Sequence, residues 1–90
     1  MIYVYVLRSI ADGQLYTGCT HDLRDRMALH NTGKVPSTKH RRPFELIYYE
    51  ACLNEKDAFR REKYLKTTYG KRYVKKRCLG YFTGLACEIR

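Results

Sequence analysis

The fold is decided by residues 2–19, which read IYVYVLRSIADGQLYTGC. Two runs rich in β-branched and aromatic residues, Ile2–Leu7 and Leu15–Cys19, lie on either side of the pair Asp12-Gly13. An Asp-Gly pair between two such runs is typical of a β-hairpin, because the tight turn needs residues that tolerate positive φ. We therefore expect the chain to begin with two antiparallel strands.

The register of this hairpin determines which side chains share a face of the sheet. A two-residue turn at Asp12-Gly13 would set opposite one another residues whose numbers sum to 25. Because side chains alternate between the two faces of a strand, Tyr5 and Tyr16 would then lie on the same face.

Capping residues and helix breakers divide the rest of the chain. They predict a helix over about Asp22–His30, a loop over Gly33–Pro43, a strand over Phe44–Cys52, a helix from Asn54 to about Tyr69 and a short helix over Lys71–Arg77. No structure is predicted for the tail, residues 78–90. The order ββαβα predicts one α+β domain over residues 1–90, with a small three-stranded, largely antiparallel sheet flanked by helices.

The composition fits one small globular domain. The chain has 90 residues and 10.7 kDa, which excludes a multidomain enzyme because single domains already run to about 100–150 residues. It contains no run of about 20 apolar residues that could span a bilayer, and its start does not resemble a secretory leader. We therefore expect a cytoplasmic protein with no membrane partner. The four cysteines form no C-x-x-C pair, which disfavours a zinc site and predicts reduced thiols.

The charge of the chain points to a polyanionic partner. The net charge is +9, and nine of the 18 lysines and arginines lie between Arg60 and Arg77, interleaved with tyrosines. Such a surface can follow a phosphate backbone while its aromatic rings touch sugars or unstacked bases. A basic helix face that only contacts solvent is the alternative.

One carboxylate breaks the apolar pattern of the second predicted helix. Ala58, Glu62, Leu65 and Tyr69 form a stripe at helical spacing that should face the sheet. A carboxylate in that stripe is costly unless it is paired or bound to a metal. A pair with Lys66, one turn later, is the structural alternative, and periodicity alone does not separate the two interpretations.

The first predicted helix carries the same kind of exception with the opposite charge. Its inward stripe contains Arg26 and His30 beside Leu23 and Met27. The structural alternatives are an ion pair between Arg26 and Asp22, and a hydrogen-bonded histidine at a helix end. The convergence of two tyrosines, an Arg/His pair and a lone glutamate favours a functional site.

This set of side chains suits the cleavage of a phosphodiester. The reaction places negative charge on the phosphate and leaving oxygens, and the planar guanidinium of Arg26 matches phosphate geometry. A single carboxylate, Glu62, is enough to hold Mg²⁺ when water and phosphate complete its octahedron. Nearby cations would lower the pKa of a tyrosine from about 10, and His30 could relay a proton or hold a tyrosine oxygen.

The ordered set of motifs closely resembles the GIY-YIG nuclease superfamily, over roughly residues 2–77. The matching residues are Tyr3-Val4-Tyr5, Tyr16-Thr17-Gly18, Thr20, Leu23, Arg26, His30-Asn31, Gly33, Pro43 and Glu62. The likeness is to small stand-alone members, which are similar to the N-terminal nuclease domain of the UvrC excision-repair protein. Tyr3 and Thr17 replace a glycine and an isoleucine of the family motifs, and no asparagine follows Glu62.

The resemblance implies a hydrolysis of DNA that uses one divalent metal, Mg²⁺ or Mn²⁺. Tyr5 and Tyr16 would position or deprotonate the attacking water, Arg26 would stabilise the developing charge, His30 would assist proton transfer, and Glu62 would ligate the metal. The expected nucleic-acid contacts are Thr38, Lys39, Arg41, Arg42, Arg60, Lys63, Lys66, Lys71 and Arg72.

The expected partner is DNA, plain, structured or branched, in preference to RNA, and a second protein could supply targeting. Little sequence specificity is expected, because nothing resembles a base-reading recognition helix. A basic DNA- or RNA-binding module without turnover is the first alternative function. An accessory protein of an RNA-containing complex is the second.

Overall fold

The computed structural model describes the backbone of residues 1–88 and the side chains of residues 1–84. In chain order its elements are β1 (Ile2–Ser9), β2 (Leu15–Thr20), α1 (Leu23–Asn31), a 3₁₀ turn (Lys39–Arg41), β3 (Phe44–Cys52), α2 (Glu55–Leu65), α3 (Thr68–Arg77) and α4 (Leu79–Glu88). The predicted α+β class and the boundaries of the third strand are confirmed.

The three strands form one antiparallel sheet in the order β2-β1-β3. The hairpin does not close with the predicted two-residue turn: the Ser9 N–H donates to the Gln14 carbonyl at 2.9 Å, which leaves four residues, 10–13, in the loop. Of these, Gly13 has the positive φ, 74°. Paired residues therefore sum to 23, as for Tyr5 and Gly18, and not to 25. The register shift of two residues keeps every side chain on its predicted face.

The sheet is covered on both faces. Ile2, Val4 and Val6 pack against the buried residues of α2 and α3, which are Ala58, Leu65 and Val74. The opposite face carries Tyr5, Leu7 and Phe44, which contact Leu23 and Met27 of α1. Because β1 is central, its successive side chains enter two different cores, and the tyrosine belongs to the smaller of them.

Helix α1 begins and ends as the capping residues predict, one residue later at each end. The Asp22 carboxylate accepts from the Asp25 N–H at 2.9 Å. At the other end Gly33 has φ 77°, and the Lys34 N–H donates to the Leu29 carbonyl at 3.0 Å, which is the Schellman arrangement.

The predicted long second helix is in fact two helices. Helix α2 ends at Leu65, and Thr67 caps α3 by accepting from the Gly70 N–H at 3.1 Å. The Thr67 hydroxyl also donates to the Tyr64 carbonyl, so a threonine that competes for backbone hydrogen bonds breaks the helix. Tyr69 consequently leaves the predicted inward stripe and is 71% exposed.

The chain after α3 continues as helix α4, where no structure was predicted. Its Tyr81 hydroxyl donates to the Glu45 carboxylate of β3, which ties the start of α4 to the sheet. Residues 89 and 90 lie outside the described part. Within residues 1–88, every helix is too short or too polar to cross a bilayer.

Candidate active site

A buried hydrogen bond joins two of the predicted site residues. Tyr5 lies on β1 and is 2% exposed, and His30 lies in the last turn of α1 with no exposed surface. The Tyr5 hydroxyl is 3.0 Å from Nε2 of His30. The ring of Tyr16, on the neighbouring strand, is centred 5.0 Å from the imidazole and 6.4 Å from the Tyr5 ring. The structure therefore brings Tyr5, Tyr16 and His30 into direct contact.

The second nitrogen of His30 is also satisfied. Its Nδ1 is 2.9 Å from the hydroxyl of Thr38, which precedes the 3₁₀ turn. Thr38 was expected to contact nucleic acid, but its side chain has no exposed surface. In this structure Thr38 supports His30 from the interior.

Burial controls the protonation of the Tyr5–His30 pair. It raises the pKa of Tyr5, and the neighbouring Tyr16 adds to this effect. Arg26 acts in the opposite direction but does not overcome burial, so the expected lowering of this tyrosine's pKa by cations does not occur. Burial, helped by Arg26, also lowers the pKa of His30. Both groups are therefore neutral near pH 7.

Arg26 is near enough to this pair for its charge to act on both members. It is half-buried on α1 and lines a cavity of about 370 Å³ together with Cys19, Asp22 and Phe59. Within the described side chains it makes no ion pair at 4.0 Å or less, since Asp22 caps the helix and does not pair with it. Its guanidinium is thus available to an anion in the cavity.

Glu62 has features of both a structural ion pair and a metal ligand. Its carboxylate is 3.0 Å from Nζ of Lys66, which is the predicted structural pair, yet the glutamate side chain is only 22% exposed. Burial and the neighbouring Glu62 carboxylate raise the pKa of the Cys19 thiol to about 12. Glu62 therefore lies beside Cys19, a residue that lines the same cavity as Arg26.

The donor set fits a hard divalent metal held mainly by water and phosphate. Among the described side chains, no three residues of the types His, Cys, Asp and Glu come together as a ligand cluster. One half-buried carboxylate matches Mg²⁺ or Mn²⁺, which keep several waters and share substrate phosphates. It does not match a structural zinc site, which needs four protein ligands.

The expected nucleic-acid contacts are distributed over several elements. Some are engaged with acidic neighbours: Arg41 with Asp12 at 2.9 Å, Arg60 with Asp57 at 3.4 Å, and Lys66 with Glu62. Nε of Arg42 donates to the Lys39 carbonyl at 2.8 Å. Lys39, Arg42, Lys63, Lys71 and Arg72 are exposed.

One of these residues, Lys71, lines a cavity of about 420 Å³ between the β1–β2 hairpin and helices α3 and α4. Arg8 and Lys75 contribute two further cations to its wall. A phosphate that entered this cavity would meet positive charge from a strand and from a helix.

Two residues of the site have roles that the sequence did not assign. Gly18 lies directly opposite Tyr5, and a Cβ atom there would lie 2.6 Å from Cζ of that tyrosine. Asn31 accepts from the Phe44 N–H at 2.8 Å and donates to the Phe44 carbonyl at 3.2 Å, so it joins the end of α1 to β3. A glycine inside a strand often marks the close approach of another group, and this signal could have located the contact of Gly18 with Tyr5. No local sequence pattern indicates the contact of Asn31 with Phe44.

Comparisons with known proteins find a matching family model and similar sequences. The family model of the GIY-YIG catalytic domain matches residues 1–77. A UPF0213 protein of Bacillus pumilus is 46% identical over 66 residues, 72% of this chain and 66% of that protein. The UPF0213 protein SH2523 of Staphylococcus haemolyticus is 44% identical, over 72% of this chain and 79% of its own.

The fold also has a match among solved structures. The solution NMR structure of the UPF0213 protein BH0048 from Bacillus halodurans superposes with a TM-score of 0.53 at 34% identity, covering 84% of each chain.

Proposed function

Because the chain belongs to the GIY-YIG catalytic domain family, we propose that it is an endonuclease that hydrolyses DNA phosphodiester bonds with a divalent metal and little sequence preference. Membership of the family supports the endonuclease-like function itself. The metal dependence, the low specificity, a cytoplasmic location and a protein partner that supplies targeting belong to the proposal.

The observation that carries the proposal is that neutral and charged groups act together on Tyr5. The tyrosine–histidine pair is neutral, with its two polar atoms 3.0 Å apart, and the charge of the half-buried Arg26 acts on both of its members. Glu62 acts on Tyr5 from the other helix. Phosphodiester hydrolysis needs these two kinds of group together: a proton acceptor for water and fixed charge for the phosphate.

The roles follow from the environment of each group. Tyr16 is half-buried and its ring lies against that of His30, and it would orient the attacking water. Tyr5 and His30 would accept the proton of that water. Arg26 would bind the non-bridging phosphate oxygens, because its fork matches them and no protein carboxylate competes for it among the described residues.

Glu62 would hold the metal, which supplies positive charge at the phosphate when bound. Lys66 would have to release the carboxylate, and its ammonium can move into water because the pair is one helical turn long and open to solvent on the lysine side. The 57% exposure of the lysine side chain fits such an exchange.

The test is a nicking assay with Mg²⁺ or Mn²⁺ on duplex, flap and junction DNA. We expect Arg26→Ala and Glu62→Gln each to remove nicking while DNA binding persists. The matched controls are Arg24→Ala, an exposed arginine of the same helix, and Asp57→Asn, an exposed carboxylate of α2. Nicking that survives both site substitutions would refute the assignment.

A non-catalytic nucleic-acid-binding module is the second candidate function. It is favoured by the Glu62–Lys66 pair, which occupies the carboxylate, and by the raised pKa of Tyr5. It predicts DNA affinity that falls steeply with salt concentration and no cleavage with any divalent ion.

A further inference from the structure

A chain of hydrogen bonds extends from the site into the interior. Tyr5 Oη is 3.0 Å from His30 Nε2, His30 Nδ1 is 2.9 Å from Thr38 Oγ1, and Thr38 Oγ1 is 3.4 Å from the Val35 carbonyl oxygen. Tyr5, His30 and Thr38 are at most 2% exposed. Bulk water therefore does not reach His30 or Thr38, and Tyr5 is the end of the chain nearest to solvent.

The last member of the chain favours one direction for the others. A carbonyl oxygen only accepts, so a Thr38 hydroxyl that donates to Val35 across 3.4 Å presents a lone pair to His30. His30 would then carry its proton on Nδ1. A neutral imidazole has one N–H, so Nε2 is left as an acceptor and faces the hydroxyl of Tyr5.

The backbone holds Thr38 in the position that this assignment needs. Its N–H donates to the Val35 carbonyl at 3.1 Å, and its own carbonyl accepts from the Arg41 N–H at 2.9 Å. The threonine is thereby fixed between a turn and the 3₁₀ segment. Its hydroxyl has no need to move for the hydrogen bonds to form.

We propose that Thr38 is a positioning residue that selects the Nδ1–H tautomer of His30 and so makes Nε2 the acceptor for the proton of Tyr5. The inference rests on the proposed hydrolytic function of Tyr5 and His30. With the opposite tautomer, an N–H would face the tyrosine and the histidine could take no proton from it.

The proton balance of the step is simple. As an O–H bond of the attacking water breaks, its proton passes to the Tyr5 oxygen while the tyrosine's own proton passes to His30 Nε2. The result is a hydroxide and an imidazolium. The hydroxide oxygen then bonds to phosphorus as the bond to the leaving oxygen breaks, and the leaving oxygen takes a proton from solvent. The imidazolium returns its proton to solvent through Tyr5.

The tautomer is measured by two-bond ¹⁵N–¹H correlation of the full chain labelled on histidine. We expect wild-type His30 to carry its proton on Nδ1. Thr38→Val, which keeps the shape and removes the hydroxyl, should lose that preference and reduce nicking about 10–100-fold, as the loss of a supporting hydrogen bond does at other sites. Thr38→Ser should restore both, and Thr68→Val, an exposed threonine of α3, should change neither.

Two results would overturn the proposal: an Nε2–H tautomer in the wild-type protein, or an unchanged tautomer and unchanged nicking in Thr38→Val. The first needs no variant, so it decides the matter even where Thr38→Val does not fold. Absence of nicking by the wild-type protein would instead refute the proposed function, while the tautomer would still report on the role of Thr38.

Discussion

Gly18→Ala is expected to destabilise the protein, because the added methyl group would clash with Tyr5, which belongs both to the core and to the candidate site. The added Cβ would lie 2.6 Å from Cζ of Tyr5 and 3.1 Å from Cε1, and closer still to the hydroxyl oxygen. Tyr5 cannot swing away, because it is 2% exposed and its ring lies against Tyr16 and His30. The methyl group must therefore displace the tyrosine from its hydrogen bond.

The size of the effect follows from three contributions. Overpacking of a well-packed core costs about 1–3 kcal/mol, and the lost hydrogen bond adds about 1 kcal/mol. Replacing glycine by alanine reduces the entropy of the unfolded chain, which offsets about 0.4–1 kcal/mol. The net loss of about 1–3.5 kcal/mol lowers the Tm of a 90-residue domain by roughly 4–28 °C.

The measurement is thermal unfolding followed by far-UV circular dichroism, together with nicking of DNA. Gly80→Ala is the matched control, because a Cβ at that position of α4 meets nothing within 4 Å. It should leave Tm unchanged or raise it, since alanine favours a helix by about 1 kcal/mol over glycine. If Gly18→Ala has the same Tm as the wild type, Tyr5 can move aside at little cost, and the argument that the site is rigid is refuted.

Three further outcomes are expected from unfolding measurements. Gly70→Ala should cost about 3 kcal/mol or more, because its Cβ would lie 2.8 Å from the carbonyl carbon of Tyr64, and backbone yields less than a side chain; wild-type stability would contradict this. Arg61→Gln removes two hydrogen bonds to Glu50, at 2.8 and 2.9 Å. Arg61 also holds the pKa of that carboxyl below its usual range. The pair therefore stabilises the protein fully above about pH 4.3 and less as the pH falls. The free energy of unfolding in urea should consequently change less between neutral and acidic pH for the variant than for the wild type. The lowered pKa of His30 means that wild-type stability should fall as pH drops below about 6.5, where the unfolded chain takes up a proton first; His30→Gln should abolish that slope, and an unchanged slope would assign it to another group.

Local signals predicted those parts of the fold that depend on neighbouring residues. The Asp-Gly pair located the hairpin, and Gly33 located the end of α1. Each acts within a few residues. The turn length was wrong because Ser9 and Gln14 close a longer loop through backbone hydrogen bonds, and nothing in the composition of residues 10–13 excludes either loop. The predicted face of each side chain is still correct, because a register shift of two residues leaves every side chain on the same face of the sheet.

The break between α2 and α3 was missed for a different reason. The stripe from Ala58 to Leu65 is genuine, since both residues are buried. Its extension to Tyr69 ignored Thr67, whose hydroxyl accepts from one helix and donates to the other. Gly70 then allows close approach of α3 to the backbone of Tyr64. A threonine followed three residues later by glycine only weakly indicates a break between two helices. The break is recognised from the contact of Gly70 with the backbone of Tyr64 in the structure.

The residue types of the candidate site followed from the sequence, but their electrostatics did not. Helical and strand periodicity place Tyr5, Arg26 and His30 on inward faces, and the structure agrees. Periodicity carries no information on desolvation, which decides the sign of the Tyr5 pKa shift. Burial of Thr38 depends on how the loop after α1 folds back over the histidine, a long-range event without a local pattern.

The candidate site combines buried neutral groups with partly exposed charged groups. The groups that would handle protons are enclosed and neutral, so placing them in the interior carries no charge-burial cost. The groups that would handle the phosphate and the metal, Arg26 and Glu62, keep part of their surface at a cavity edge, where water limits the cost of their charges. A sheet with a core on each face can serve both needs, because Tyr5 is buried in the core under α1 while Cys19, beside Glu62, packs in the core under α2 and α3. The pairing of β1 with β2 explains why Gly18 must remain small: it lies directly opposite Tyr5, and a Cβ there would occupy the space of the tyrosine ring.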